Sequence, residues 1–248
     1  MVRERRRVSD SDIYHVVARG VGRCIIFEDD ADRKKYLGIL DTTREKHQLA
    51  LLAWCLMDNH VHLLIKGDLT ALSDGMRALD SEYAQYFNLR HGRVGHLFQG
   101  RFKSETVDTD QYFLTVLRYI HQNPVKAGMT STCDYTWSSY QEYIGEPMRT
   151  DTGMALSMLD GVDGFVEFHR QDDPGAGCID VNTGRCRYEG EAAIVVAKEV
   201  LAPVRIEEVA GMPREERNEA LKTLKAARLS LRQIERLTGV SKTTVAKA

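Results

Sequence analysis

The chain has 248 residues, 43% hydrophobic and 28% charged, with 34 Lys and Arg against 36 Asp and Glu for a formal net charge of −2. This composition excludes a wholly disordered chain, and the balanced charge excludes one that grips duplex DNA merely as a polycation. The charge is unevenly spread: residues 1–150 hold 20 basic and 20 acidic side chains, 151–213 hold 5 and 12, and 214–248 hold 9 and 4, which points to separate modules.

In chain order, Ile13 to Arg19 mixes β-branched and aromatic residues before Gly20 and predicts a strand. Asp29 or Asp30 caps a helix over about 31–46, with Tyr36, Leu37 and Leu40 on its apolar face. Leu49 to Met57 reads as a strand buried on both faces. The pair Asp58-Asn59 then turns the chain into a third strand, His60 to Lys66, giving an antiparallel hairpin. Leu72, Met76, Leu79, Tyr83 and Tyr86 mark a helix over 70–89. A loop rich in Gly, Arg and His leads to a short strand over 101–107. Thr109 or Asp110 caps a further helix, which Pro124 is expected to stop near Gln122. The fold class is α+β with a largely antiparallel sheet. Residues 146–190 read as a linker, and helices are expected over 214–228, 231–237 and 242–247, the last capped by Ser241.

The five cysteines show no Cys-x-x-Cys spacing, which argues against a cysteine zinc site or a disulfide framework. The first ten residues are basic and then polar, without the apolar core of a signal peptide. The longest apolar run, Leu49 to Met57, is nine residues and too short to span a bilayer. The expectation is a reduced, cytoplasmic protein without a membrane partner.

Two constellations carry chemistry. His60 and His62 are i and i+2 on one strand, so both imidazoles face one way and can offer two nitrogens to a divalent cation. With 8 His in 248 residues such a pair arises by chance in roughly one chain in four, and the alternative is two histidines on a wet sheet face. Tyr119 and Asn123 are i and i+4 on one helix face. A phenol with a pKa near 10 is a weak nucleophile unless a neighbouring cation polarises its target. Asn123 could add an amide oxygen as a third ligand. The alternative is a half-buried tyrosine and an asparagine that merely ends the helix.

The segments Leu56-Met57-Asp58-Asn59-His60-Val61-His62-Leu63-Leu64 and Arg118 to Gly128 resemble the signature of single-tyrosine transposases of the His-hydrophobic-His nuclease superfamily. The resemblance is closest to the branch associated with repetitive extragenic palindromes. Tyr14-His15-Val16, Arg19-Gly20, Arg93, Gly95, Gly100-Arg101, Tyr135 and Trp137-Ser138-Ser139-Tyr140 extend it over about residues 10–145. It implies a ferredoxin-like sheet within a catalytic domain over 1–145. It implies a divalent metal, Mg²⁺ or Mn²⁺, on His60, His62 and Asn123, with Gln122 as the other available amide, and Tyr119 as nucleophile. Such enzymes cleave single-stranded DNA beside a hairpin, keep a 5′-phosphotyrosine link, and occur as monomers or as dimers with exchanged helices. Tyr112, seven residues before Tyr119, is the rival nucleophile, better read as core together with Tyr83 and Tyr86.

Arg93, His96, Phe98, Arg101 and Lys103 interleave basic groups with an aromatic, as a phosphate-tracking surface with a stacking platform would. Arg19 and the leading run Arg3, Arg5, Arg6 and Arg7 join them as DNA-binding candidates. Residues 191–248 form a helical domain whose end has helix-turn-helix layout and resembles the DnaA-like module of longer family members. Ser241, Lys242, Thr243 and Thr244 would open its second helix toward duplex DNA, or the module could bind a host protein. Two other roles share the same residues: a domesticated nuclease acting on chromosomal repeat hairpins, and an idle regulator that binds DNA through its tail.

Overall fold

A computed structural model describes residues 6–130, 133–171, 178, 190–227, 229 and 231–248. The chain divides into two compact units: Met1–Val21 with Ile26–Val181, and Gly22–Ile25 with Asn182–Ala248.

The first unit is built on strands β1 (Ile13–Arg19), β2 (Ala50–Met57), β3 (His60–Lys66) and β4 (Lys103–Thr106), in the order β2-β3-β1-β4 with every pairing antiparallel. With helix α1 (Asp30–Lys46) after β1 and α2 (Leu69–Arg90) after β3, this is the βαββαβ ferredoxin-like arrangement. Asp29 caps α1, its carboxylate accepting from the Asp32 amide, and Asp68 caps α2 in the same way. The hairpin turns at Asp58-Asn59, with Met57 paired to His60, so the register of β3 is fixed at its first residue. Alternation then sends Val61, Leu63 and Ile65 to one face of the sheet and His60, His62 and Leu64 to the other. α1 and α2 cover the first face, where Leu40, Leu51, Ile65 and Met76 meet.

Helix α3 (Asp110–Lys126) covers the second face and packs Phe113, Val116, Leu117 and Ile120 against Ile13, Ala53, Cys55 and Leu64. Thr109 caps it by accepting from the Tyr112 amide. Pro124 does not stop this helix. It lies inside the last turn, where the amide it lacks costs one bond, and Gly128, at φ +70°, ends the helix with its N–H donating to Val125 O.

The linker expected over 146–190 is corrected in its first half. After α4 (Tyr140–Ile144), helices α5 (Gly153–Met158) and α6 (Val162–Arg170) bury Ala155 and Phe165 in the same core as α3. The Gly, Asp and Pro of this stretch lie around these short helices and mask their periodicity. The remainder, 172–177 and 179–189, lies outside the described residues. The four described cysteines form no disulfide, and Cys186 is outside the described set.

The second unit contains α7 (Gly190–Leu201), a 3-10 turn at Ile206–Gly211, α8 (Arg214–Ala226), α9 (Leu231–Thr238) and α10 (Lys242–Lys247). Ile206, Leu221, Leu224, Ile234 and Val245 form its core. Among the described residues no helix is long and apolar enough to cross a membrane.

Candidate active site

The polar face of β3 is where the chemistry collects. Antiparallel register sets Arg19 opposite His60, Val17 opposite His62, and His15 opposite both Leu64 and Glu105. His15, Arg19, His60 and His62 therefore share the face that α3 covers. α3 brings Tyr119 and Asn123, one turn apart, down onto it. The Tyr119 ring meets His62 edge-on at 5.5 Å between centroids and His15 at 5.9 Å. Asn123 Nδ2 lies 3.2 Å from His62 Nε2, and the His60 and His62 ring centres are 4.9 Å apart. His60, His62 and Asn123 are 1%, 0% and 0% exposed, so this is not the wet sheet face that the residue pattern alone allows. Tyr119 is 4% exposed.

The hydrogen bonds fix where the protons sit. His60 Nδ1–H donates to Asn59 Oδ1 at 2.7 Å, which leaves Nε2 as a lone pair. That Nε2 is buried with no hydrogen-bond partner among the described residues. His15 Nδ1–H donates to Glu105 Oε1 at 2.6 Å, and His62 Nδ1–H donates to His15 Nε2 at 3.0 Å. His62 thus also presents Nε2 as a lone pair. Burial first, then the Arg19 charge, holds the His60 pKa down to about 3, while Asn123 acts in the opposite direction. Burial, then His60, His15 and Arg19, holds His62 well below the usual histidine range. Both imidazoles are neutral at pH 7, the ligating form.

Two convergent lone pairs, one of them orphaned, with an amide beside them fit a divalent cation. Among the described residues no group of three or more His, Cys, Asp or Glu is placed to hold a metal, and the Asn123 amide is the polar group that lies beside the two imidazoles. Gln122 is elsewhere: its Nε2 donates to His169 O at 3.0 Å and Gln171 O at 2.9 Å. Tyr112 is half-buried and hydrogen bonds Glu105, and burial pushes its pKa up. Tyr83 is core, its hydroxyl donating to Ile26 O.

The DNA-binding candidates divide. Arg19 stands beside the histidine pair. His96, Arg101 and Lys103 are exposed, and Arg93 is half-buried with its guanidinium 5.7 Å from the Phe87 ring centre. Phe98 is a correction. It is 8% exposed, its backbone bridges Gly20 and its ring packs near Tyr83, so it offers no open face for a base. Of the leading arginines, Arg3 and Arg5 lie outside the described residues. In the second unit the Ser241 hydroxyl is used as a helix cap, accepting from the Thr244 amide. Thr243 is exposed and Thr244 half-buried, while the Lys242 side chain lies outside the described ones.

Sequence reasoning assigned no role to three neighbours of the site. Glu105 and His15 hold His62, and Lys126 Nζ lies 4.9 Å over the Tyr119 ring. His15 and Lys126 stand within the matched segments, so a signal was present. Glu105 is legible only from the β1–β4 register.

Residues 9–123 match the family described as IS200-like transposase. The matched stretch holds the strand histidines, Tyr119 and Asn123 together. The chain is similar to that family over these residues, 115 of its 248. Among solved structures, a REP-associated tyrosine transposase bound to a REP hairpin aligns at 15% identity and a TM-score of 0.48, covering 62% of this chain and 97% of that one. A putative transposase from Deinococcus radiodurans R1 aligns at 20% identity and a TM-score of 0.33, covering 49% of this chain and 95% of that one. No curated protein matches the chain.

Proposed function

We propose that this protein is a transposase that cleaves and rejoins single-stranded DNA beside a hairpin, with Tyr119 as nucleophile. The observation that carries the reading is the placement of Tyr119 and Asn123, one helical turn apart, against the two imidazoles of β3. His60 and His62 through Nε2, and Asn123 with its amide turned to present Oδ1, would hold Mg²⁺ or Mn²⁺. What that ion supplies is polarisation of the scissile phosphate and stabilisation of charge on its oxygens.

Tyr119 Oη attacks phosphorus. The bond from phosphorus to the 3′ oxygen breaks, that oxygen takes a proton and leaves as a 3′-OH, and the phenol proton passes to solvent. The 5′-phosphotyrosine retains the phosphodiester energy, so a 3′-OH can attack it and release the tyrosine without ATP. Lys126, over the ring, stabilises negative charge on the phenol oxygen as it develops. One chain supplies both histidines, Asn123 and Tyr119, which supports a monomer as the catalytic unit.

The strand is tracked by Arg93, His96, Arg101 and Lys103, with Arg19 at the site. Arg6, Arg77 and Arg101 also line a cavity of about 200 Å³ beside Phe102, over which Arg6 stacks at 3.9 Å. Burial, then Arg101 and Arg77, depresses the Arg6 pKa, and Asp80, which lines the same cavity, is pushed up to about 7 by burial, so the cavity favours an anion such as a phosphodiester. In the second unit α9 and α10, joined through Gly239 at φ +73°, have the layout of a helix-turn-helix for duplex DNA.

The test is incubation of a hairpin oligonucleotide carrying a single-stranded flank with protein and Mg²⁺, followed by denaturing electrophoresis for a protein–DNA adduct. Wild-type protein should form it. Tyr119→Phe should bind the oligonucleotide and form none, and an adduct in Tyr119→Phe that Tyr112→Phe lacks would move the nucleophile to Tyr112. Deleting residues 214–248 should leave the adduct intact and weaken duplex binding several-fold, more at low salt than at high.

A further inference from the structure

We propose that His15 and Glu105 are positioning residues that set the tautomer of His62 and so make its Nε2 available to a cation. The role rests on the metal reading above. The three residues form a ladder across adjacent strands: Glu105 on β4 lies opposite His15 on β1, and His15 lies diagonal to His62 on β3. The order β2-β3-β1-β4 makes this ladder possible, because β1 stands between the other two.

The chemistry runs one way along it. A carboxylate only accepts, so at 2.6 Å the His15 proton must be on Nδ1. At the other end Asn123 Nδ2 can only donate, so at 3.2 Å His62 Nε2 is the acceptor, the His62 proton sits on Nδ1, and at 3.0 Å it is donated to His15 Nε2. His62 carries one proton, so its Nε2 is bare and faces Asn123. The His15 and His62 rings are stacked at 5.2 Å and both are fully buried, which holds His15 in place as the acceptor for His62. Tyr112 hydrogen bonds Glu105 and steadies the far end. Remove His15 and the acceptor for the His62 Nδ1 proton is gone. The other tautomer then puts a hydrogen where the cation would sit. Partners of this kind behind a metal-bound histidine typically change metal affinity by about 10–100-fold.

Two measurements test this. Long-range ¹H–¹⁵N correlation on metal-free, histidine-labelled wild-type protein reads the tautomer directly, and should show His62 protonated on Nδ1 and bare on Nε2. Mn²⁺ titration by calorimetry should then show roughly 10–100-fold weaker binding in His15→Leu and Glu105→Leu. Glu105→Gln, which keeps an acceptor oxygen, should lose much less. A hydrogen on His62 Nε2 in the wild type would overturn the proposal even if a variant fails to fold. So would unchanged Mn²⁺ affinity in a folded His15→Leu protein while His60→Ala abolishes binding. Wild-type protein that binds no Mn²⁺ would instead overturn the metal reading itself, and this role with it.

Discussion

Helix α3 separates two buried histidine networks that look alike and end differently. On the sheet side, the chain from Glu105 through His15 to His62 finishes on a His62 Nε2 that meets only the Asn123 amide at 3.2 Å, and beside it His60 Nε2 has no hydrogen-bond partner among the described residues. On the other side, His169 Nδ1–H donates to Phe165 O at 2.9 Å, His121 Nδ1–H donates to His169 Nε2 at 2.9 Å, and the Ser139 hydroxyl donates to His121 Nε2 at 2.8 Å. Every ring nitrogen of that second network is used. The aromatic cage of Tyr140, Tyr143 and Phe165 around it completes a tie between α3, α4 and α6. An orphaned buried nitrogen costs free energy that a closed network does not. Burial and residue type are the same in both. What separates a site from a structural clip is whether the hydrogen bonds close.

The largest expected effect breaks that symmetry in activity. His60→Ala should reduce Mg²⁺-dependent cleavage by at least about 1,000-fold, since it removes a ligand while the nucleophile stays. His121→Ala should leave the single-turnover rate of folded protein within a few-fold of wild type. Equal losses in both would mean that the second network also serves the chemistry.

Stability should invert the order. His121→Ala opens a hole among three aromatic rings and strands a His169 nitrogen, while the Ser139 hydroxyl keeps its bonds to the Trp54 backbone, a cost of about 2–4 kcal/mol. Denaturant unfolding measures it. The same substitution at His60, whose Nε2 has no hydrogen-bond partner among the described residues, should cost less. A larger loss in His60→Ala than in His121→Ala would show that the site histidines are packing residues first.

Acid should weaken both networks. Burial holds His169 down to about 4 and His121 well below its usual range, as it does His60 and His62. Their folded pKa values lie below the unfolded value of about 6.5, so the unfolded chain takes up more protons as pH falls. Their stabilising contribution is whole above pH 6.5 and is lost as pH falls toward 4. Each histidine should add a slope of about 1.4 kcal/mol per pH unit inside that window. Urea midpoints at pH 7, 6 and 5 measure it, and His169→Gln should flatten the slope by about one proton. A flat profile over that range would mean that these rings are already protonated when folded.

How much of this was legible in the sequence follows from range. The i and i+2 spacing of His60 and His62, and the i and i+4 spacing of Tyr119 and Asn123, are local, and local geometry carries both pairs to the right faces. The Asp58-Asn59 turn fixes the hairpin register, which locates β3 to the residue. That the two faces meet is a tertiary fact, carried only by the family resemblance. Phe98 was read as a base-stacking ring because its neighbours are basic, but a backbone bridge to Gly20 turns it inward. The helices over 153–170 were hidden by glycines and short length, although Phe165 and His169 are fixed in the core. Glu105 shows no motif of its own, and only the pairing of β1 with β4 gives it a partner.

The smallest expected difference is the sharpest, because it divides neighbours in sequence. Gln122 and Asn123 are both amides, either could serve as the third ligand on paper, and a helix turns them about 100° apart. Asn123 lies 3.2 Å from His62, in the site. Gln122 donates to two carbonyls at the end of α6, and Arg118, one turn earlier, stacks 4.2 Å from Phe168 on the same helix. Asn123→Leu should therefore weaken Mn²⁺ binding by about tenfold or more at little cost in melting temperature. Gln122→Leu should leave the metal titration unchanged and cost about 1 kcal/mol in unfolding free energy, the worth of a partly exposed pair of hydrogen bonds. Calorimetric titration and urea unfolding on the two variants read both quantities. If Gln122→Leu loses metal affinity and Asn123→Leu does not, the helix presents its other side to the sheet in solution, and the two networks exchange roles.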